Sequence, residues 1–277
     1  MKISLFLDVV YQVAKESDLS FSEALVYIRE LGISGVEPGI DSVNKAGGCE
    51  KFRSVIEDAG LRIYACHKFT RLYEDSDLQN GMRFVDEAKA LGTKAALILP
   101  GPVVSMSRRE EERAQMAHQL SKLAEYSEKS GIMLCLENFS RPECPYTFIE
   151  DFVYLLKNVP GLYMNFDSGN FCFVGQSPSQ AADIISKLRP LPFSNVHFKN
   201  YSFEKYNDNP STAGKTPDGK AFYSYPVISG GAVDLNYIFD VLKAIGYDEN
   251  ISIENGGIYP AEPALTDSVE WLKTRIK

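Results

Sequence analysis

Apolar residues fall along this chain in two rhythms that take turns. Short continuous runs, too short for helices, read as strands buried on both faces. They lie at 3–7, 34–37, 61–66, 94–99, 132–136, 162–166, 193–198 and 251–253. Between them apolar positions recur every three or four residues, the helical spacing, at 19–31, 50–59, 77–91, 107–130, 147–158, 179–188, 235–245 and 263–276. Phe21, Ala24, Leu25, Ile28 and Leu31 show the pattern, and Gly32 stops it, as Gly60, Gly92, Gly131 and Gly246 stop others. Ser107 and Glu110 stand at capping-box spacing at the start of one helix. In the last helix, Trp271 and Leu272 are expected to face inward. Strands and helices alternating eight times predict parallel pairing with right-handed crossovers. That is an α/β fold, a (β/α)8 TIM barrel. Its 277 residues match the roughly 250 such a barrel needs. No Pro/Ser-rich linker or repeat divides the chain, so residues 1–277 read as a single domain.

One segment breaks the rhythm. Residues 200–232 show neither period and hold Asn207-Asp208-Asn209-Pro210, Thr216-Pro217-Asp218-Gly219 and the aromatics Phe222, Tyr223 and Tyr225. Loops this long tend to be functional. Following the seventh strand, it is expected to overhang the ligand face, as a substrate rim or as a subunit contact. The aromatic rim is compatible with a homo-oligomer.

Composition removes several function classes. The net charge is -8 and no basic block is present, which argues against nucleic acid as a partner. No apolar stretch approaches the ~20 residues of a membrane span, and residues 1–8 read as a strand rather than a signal peptide. The five cysteines are odd in number, lack a Cys-x-x-Cys pair, and include Cys66 and Cys135 inside apolar runs. They read as free thiols in a reducing compartment, which places the protein in the cytoplasm.

The chemistry lies at the ends of the strands. The run at 132–136 leads into Glu137, that at 162–166 into Asp167, that at 193–196 into His197, and that at 251–253 into Glu254. In a closed parallel sheet these four ends converge on one face. Three carboxylates and one imidazole make a mixed oxygen and nitrogen shell suited to a hard or borderline divalent cation. Only three histidines exist. His118 lies mid-helix among Gln115, Gln119 and Lys122 as a surface residue, whereas His67 ends a strand on the ligand face. Glu37, before Pro38, faces the same mouth, with a turn residue as the alternative reading.

Leu-Glu-Asn-Phe at Glu137, Asn-Phe-Asp-Ser-Gly-Asn at Asp167, Val-His-Phe-Lys-Asn-Tyr at His197 and Ile-Glu-Asn at Glu254 resemble the xylose-isomerase-like TIM-barrel superfamily. Gly-Gly-Ala-Val-Asp-Leu at 230–235 joins them, and the likeness spans essentially the whole chain. It is greatest to the sugar phosphate isomerase/epimerase branch, with its inosose dehydratases and isomerases, hydroxypyruvate isomerase and ketose 3-epimerases. The resemblance implies one divalent metal ion, Mn, Mg, Co or Zn, held by Glu137, Asp167, His197 and Glu254. Glu137 and Glu254 would double as an acid/base pair, moving a proton beside a carbonyl through a metal-stabilised enediolate. His67, Lys199 and Glu37 would contact the substrate, a small sugar, ketose or sugar phosphate. An inosose-type dehydratase would use the same proton abstraction. A noncatalytic sugar-binding barrel is a further alternative.

The chain departs from the abasic-site endonuclease branch, which carries extra histidines for a three-metal cluster. Leu99-Pro100-Gly101 stands where that branch has His-Pro-Gly, and Asn170 where it has a histidine three residues after the Asp. Epimerases can use a histidine at this second position for substrate binding, so Asn170 would take that place. Asn255-Gly256-Gly257, after the last strand, offers either a phosphate loop or a tight turn.

Overall fold

The computed structural model describes residues 1–206, 213–254 and 256–276. Asn207, Asp208, Asn209, Pro210 and Asn255 lie outside them. The strands are β1 (Lys2–Phe6), β2 (Gly35–Glu37), β3 (Arg62–Ile63), β4 (Ala65–Phe69), β5 (Ala95–Leu99), β6 (Met133–Glu137), β7 (Leu162–Asp167), β8 (Phe193–Phe198), β9 (Asn200–Ser202), β10 (Gly214–Lys215), β11 (Ala221–Tyr225) and β12 (Asn250–Ile253). The helices are α1 (Leu7–Glu16), α2 (Phe21–Glu30), α3 (Ile40–Lys45), α4 (Cys49–Asp58), α5 (Leu78–Leu91), α6 (Arg109–Lys129), α7 (Ile149–Asn158), α8 (Pro178–Ile185), α9 (Leu235–Ala244) and α10 (Ala261–Ile276).

The main sheet runs β3-β2-β1-β12-β8-β7-β6-β5-β4 and is parallel throughout. Its two ends, β3 and β4, are halves of one barrel strand broken at Tyr64 alone. Tyr64 N donates to Val36 O and His67 N to Pro38 O, so the ladder from β2 continues onto β4 and the ring closes. The result is the expected (β/α)8 barrel. The main core lies between barrel and helices, where Phe52, Phe84, Phe152, Phe166 and Phe239 are fully covered. Leu272 is buried and Trp271 packs against Phe198 and Phe239 at 6.4 Å between ring centres.

Local signals explain several boundaries. Ser20 and Glu23 form a capping box at α2, Ser177 caps α8 ahead of Pro178, and Asp234 caps α9. The box expected at Ser107 does not form. Ser107 Oγ meets Ser105 Oγ instead, and α6 starts at Arg109 with three glutamates in its first turn, which complement the helix dipole. Two helices escape the periodicity reading. Helix α1 follows β1 without a break, so Leu7 looks like strand, and α3 starts directly after Gly39. The described residues of the irregular segment after β8 carry a small sheet of their own. β9, β10 and β11 form an antiparallel sheet, and Phe222 belongs to the core, packed on Tyr201 at 4.7 Å and Phe173 at 4.8 Å. Among the described residues no helix is long and apolar enough to cross a membrane. All five cysteines are free.

Candidate active site

The four strand-end residues meet. One ligand atom from each of Glu137, Asp167, His197 and Glu254 lies within 4.8 Å of all the others. Glu137 and Asp167 close β6 and β7, His197 sits one residue from the end of β8, and Glu254 follows β12. Pairing Glu137 with Asn165 and Asp167 with His197 sets their heights. Side chains two residues apart on a strand share a face, so every one of these points into the barrel mouth.

Hydrogen bonds pin each group. His197 Nδ1 lies 2.9 Å from Glu137 Oε1 and 3.4 Å from Glu254 Oε2. Asp167 Oδ1 accepts from Gly169 N and Asn170 N, both at 2.7 Å. Asp167 Oδ2 accepts no hydrogen bond among the described residues, and the Lys199 ammonium faces it at 3.1 Å. Lys199 Nζ also reaches Glu254 Oε1 at 2.6 Å and Asn170 Oδ1 at 3.3 Å. The Asn170 amide donates in turn to Asn138 O at 3.0 Å, which fixes its Oδ1 toward Lys199.

Burial sets the proton affinities. It pushes the Glu137 carboxyl up to about 7, against the pull of His197. It raises Asp167 as well, with Lys199 opposing. At Glu254 burial acts in the same sense but loses to Lys199 and His197, which hold the carboxyl down at about 2. His197 is held well above the ordinary imidazole value, since Glu37 and Glu137 outweigh the burial that would lower it.

Of the remaining expected residues, His67 lies inside β4 rather than at its end. Its ring stacks on Phe6 at 4.9 Å, and its Nδ1 finds no hydrogen-bond partner among the described residues. Gly39 makes room for it, because a Cβ there would stand 2.9 Å from His67 Nε2. Glu37 ends β2 and turns its carboxylate to the Nε2 side of His197. It is 0% exposed, with Oε1 2.9 Å from His197 Nε2 and Oε2 2.9 Å from Asn195 Nδ2. Asn138 escaped the sequence reading too. Its amide brackets Asp167, accepting from the backbone N–H and donating to the carbonyl, both at 2.9 Å. Its place directly after Glu137 was the available signal.

The donor set fits a cation. Glu37, Glu137, Asp167 and Glu254 put four carboxylates against one lysine and one histidine in a buried space. Uncompensated buried charge is costly, and a divalent ion redresses this excess. A cleft of about 690 Å³ opens on the opposite barrel face around Lys2, Arg62 and Lys94. It contains none of the cluster, and in this fold reactive groups gather at the C-terminal strand ends.

A family model described as xylose isomerase-like TIM barrel matches residues 25–275. The chain belongs to that family. No curated protein matches it by sequence. Similar solved structures of this barrel type include an IolI protein with a bound zinc atom, at TM-score 0.75 and 16% identity over 100% of this chain and 98% of that one. The probable 3-DHS dehydratase AsbF from Bacillus anthracis aligns at TM-score 0.73 and 19% identity, over 99% of each chain. The 3-keto-D-glucoside 4-epimerase YcjR from E. coli aligns at TM-score 0.70 and 16% identity, again over 99% of each.

Proposed function

We propose that this barrel is a divalent-metal-dependent isomerase or epimerase of a small sugar, ketose or sugar phosphate. The observation that carries the proposal is the gathering of two carboxylates, Glu137 and Glu254, at His197 Nδ1, at 2.9 and 3.4 Å. They come from strands separated in the ring by β7 and β8. One, as a carboxylate, removes a proton beside the substrate carbonyl, and the other, as a carboxylic acid, delivers its own proton to the same carbon or to its neighbour. Held by Glu137, Asp167, His197 and Glu254, a Mn, Mg, Co or Zn ion would supply positive charge where negative charge develops on the substrate.

The chain's own groups do the rest. Lys199, braced by Asn170, donates to a substrate oxygen from its position beside Glu254. The Nδ1 of His67, without a hydrogen-bond partner among the described residues, takes a hydroxyl. One observation also favours an inosose-type dehydratase. An ammonium 2.6 Å from Glu254 can hand a proton to a departing β-hydroxyl after the same abstraction. AsbF and YcjR bear the names of a probable dehydratase and of an epimerase, so both chemistries accompany this fold.

The test is incubation of metal-loaded protein with a panel of ketoses and inososes in D2O. Deuterium entering a carbon beside the carbonyl supports proton transfer, and the product separates isomerase, epimerase and dehydratase. A purified protein that binds no divalent metal after loading would sink the proposal.

A further inference from the structure

Glu37 is wholly buried and both its carboxylate oxygens are already engaged, on the Nε2 side of His197 rather than the Nδ1 side that Glu137 and Glu254 share. Its surroundings are built with care. Oε1 meets His197 Nε2 and Oε2 meets Asn195 Nδ2. Asn195 lies two residues before His197 on β8, on the same inward face. Its Oδ1 accepts from Asn250 Nδ2 on β12, and the Asn250 amide also donates to Ser4 Oγ on β1 at 3.0 Å. β2, β1, β12 and β8 are neighbours in the ring, so one polar chain ties four adjacent strands beneath the cluster.

Holding a ring in place does not require a charge, since an amide accepts from an imidazole with the same shape. A carboxylate does something more specific, because it only accepts. Opposite Nε2 it holds a proton on that nitrogen, so the proton that His197 yields to a cation is the one on Nδ1, between the ring and Glu137. Without it, the ring can yield the Nε2 proton instead and keep the one that bridges Nδ1 to Glu137 at 2.9 Å, which closes the space to a cation. Carboxylate–histidine–metal chains act in this way elsewhere.

We infer that Glu37 is a positioning residue for the metal centre, choosing which nitrogen of His197 faces the ligands, with Asn195, Asn250 and Ser4 clamping it. This rests on the reading of the cluster as a cation site. The test is Co2+ titration of the full chain and of Glu37→Gln, Glu37→Asp and Glu137→Gln, followed by visible absorption and by thermal unfolding without metal. Zinc-loaded, 15N-histidine-labelled protein adds a direct view of the His197 Nε2–H resonance. With three histidines in the chain, His118→Gln simplifies assignment.

Glu37→Gln should weaken Co2+ binding by about 10- to 100-fold. It should shift the Nε2–H resonance and leave the metal-free unfolding temperature no lower. Glu37→Asp, which keeps the charge, should lie closer to wild type, and it carries the test if the Gln variant does not fold. Wild-type Co2+ affinity in Glu37→Gln, alongside lost binding in Glu137→Gln, overturns the inference and leaves the cluster reading standing. Weakening that only tracks a lower unfolding temperature overturns it too. A wild-type chain that takes up no Co2+ removes both.

Discussion

Asp167→Asn tests the cation reading with the least damage to the fold. Asp167 Oδ1 accepts two backbone N–H groups at 2.7 Å, and an asparagine oxygen can keep both. Oδ2, which accepts no hydrogen bond among the described residues, becomes an amide facing Lys199. Lys199 retains Glu254 at 2.6 Å. Because burial raises the Asp167 carboxyl above its ordinary value, its charge at neutral pH opposes folding of the metal-free protein. The variant should therefore unfold without metal at the wild-type temperature or above it. With metal the order reverses. A ligand at 100 times its dissociation constant stabilises by about 2.7 kcal/mol. For 277 residues the unfolding entropy is about 0.6 kcal/mol per degree, so the wild type should gain about 5 °C. Losing a charged ligand should weaken binding by more than the roughly 100-fold reached by outer partners. At the same metal concentration the variant then gains at most about 0.4 kcal/mol, under 1 °C. Differential scanning fluorimetry with and without Mn2+ or Zn2+ reads this directly. A wild-type-sized shift in Asp167→Asn would refute the assignment of Asp167 as a ligand.

Four other expectations follow from the geometry. Glu254→Gln should lower turnover by about 10²- to 10⁴-fold in the deuterium-exchange assay, and unchanged exchange would remove the two-carboxylate mechanism. Cation binding should expel at least one proton near pH 7 and weaken as pH falls, since Glu137 titrates near 7 and His197 holds its proton well above its usual range. Calorimetry in buffers of different ionisation enthalpy measures the proton count, and a count of zero contradicts the site. In the metal-free protein the Glu137 contribution to stability is complete below its ordinary 4.5 and is lost as pH rises through about 7, because the folded state binds that proton more tightly. Gly35→Ala should destabilise by about 1–3 kcal/mol or more in urea melts. Its Cβ would fall 2.5 Å from both Arg62 O and the Tyr64 ring, where the barrel closes. A wild-type midpoint would show that this seam gives way easily.

The strand ends were legible because their signal is local. An apolar run ending in Glu137, Asp167, His197 or Glu254 states both a strand and what it presents, and the closed parallel ring brings those ends together. The helices with their own stops were legible for the same reason. Helix α1 was not, since no cap or glycine separates Leu7 from β1. The sheet of β9, β10 and β11 was hidden as well, because short antiparallel pairings depend on partners far along the chain.

Tertiary structure alone decided the role of Glu37. In sequence it is a carboxylate before a proline, suited to a turn or a hydroxyl. In the barrel it meets a histidine 160 residues away, with an asparagine 158 residues away on its other oxygen. The order of the strands around the ring and their register bring those three together, and no local pattern carries either. Sequence thus determined the fold and the chemistry at the mouth, which follow from hydrophobic period and residue type. Closure of the ring determined which buried polar groups meet below it, because a buried donor or acceptor takes the partner that ring closure places within reach.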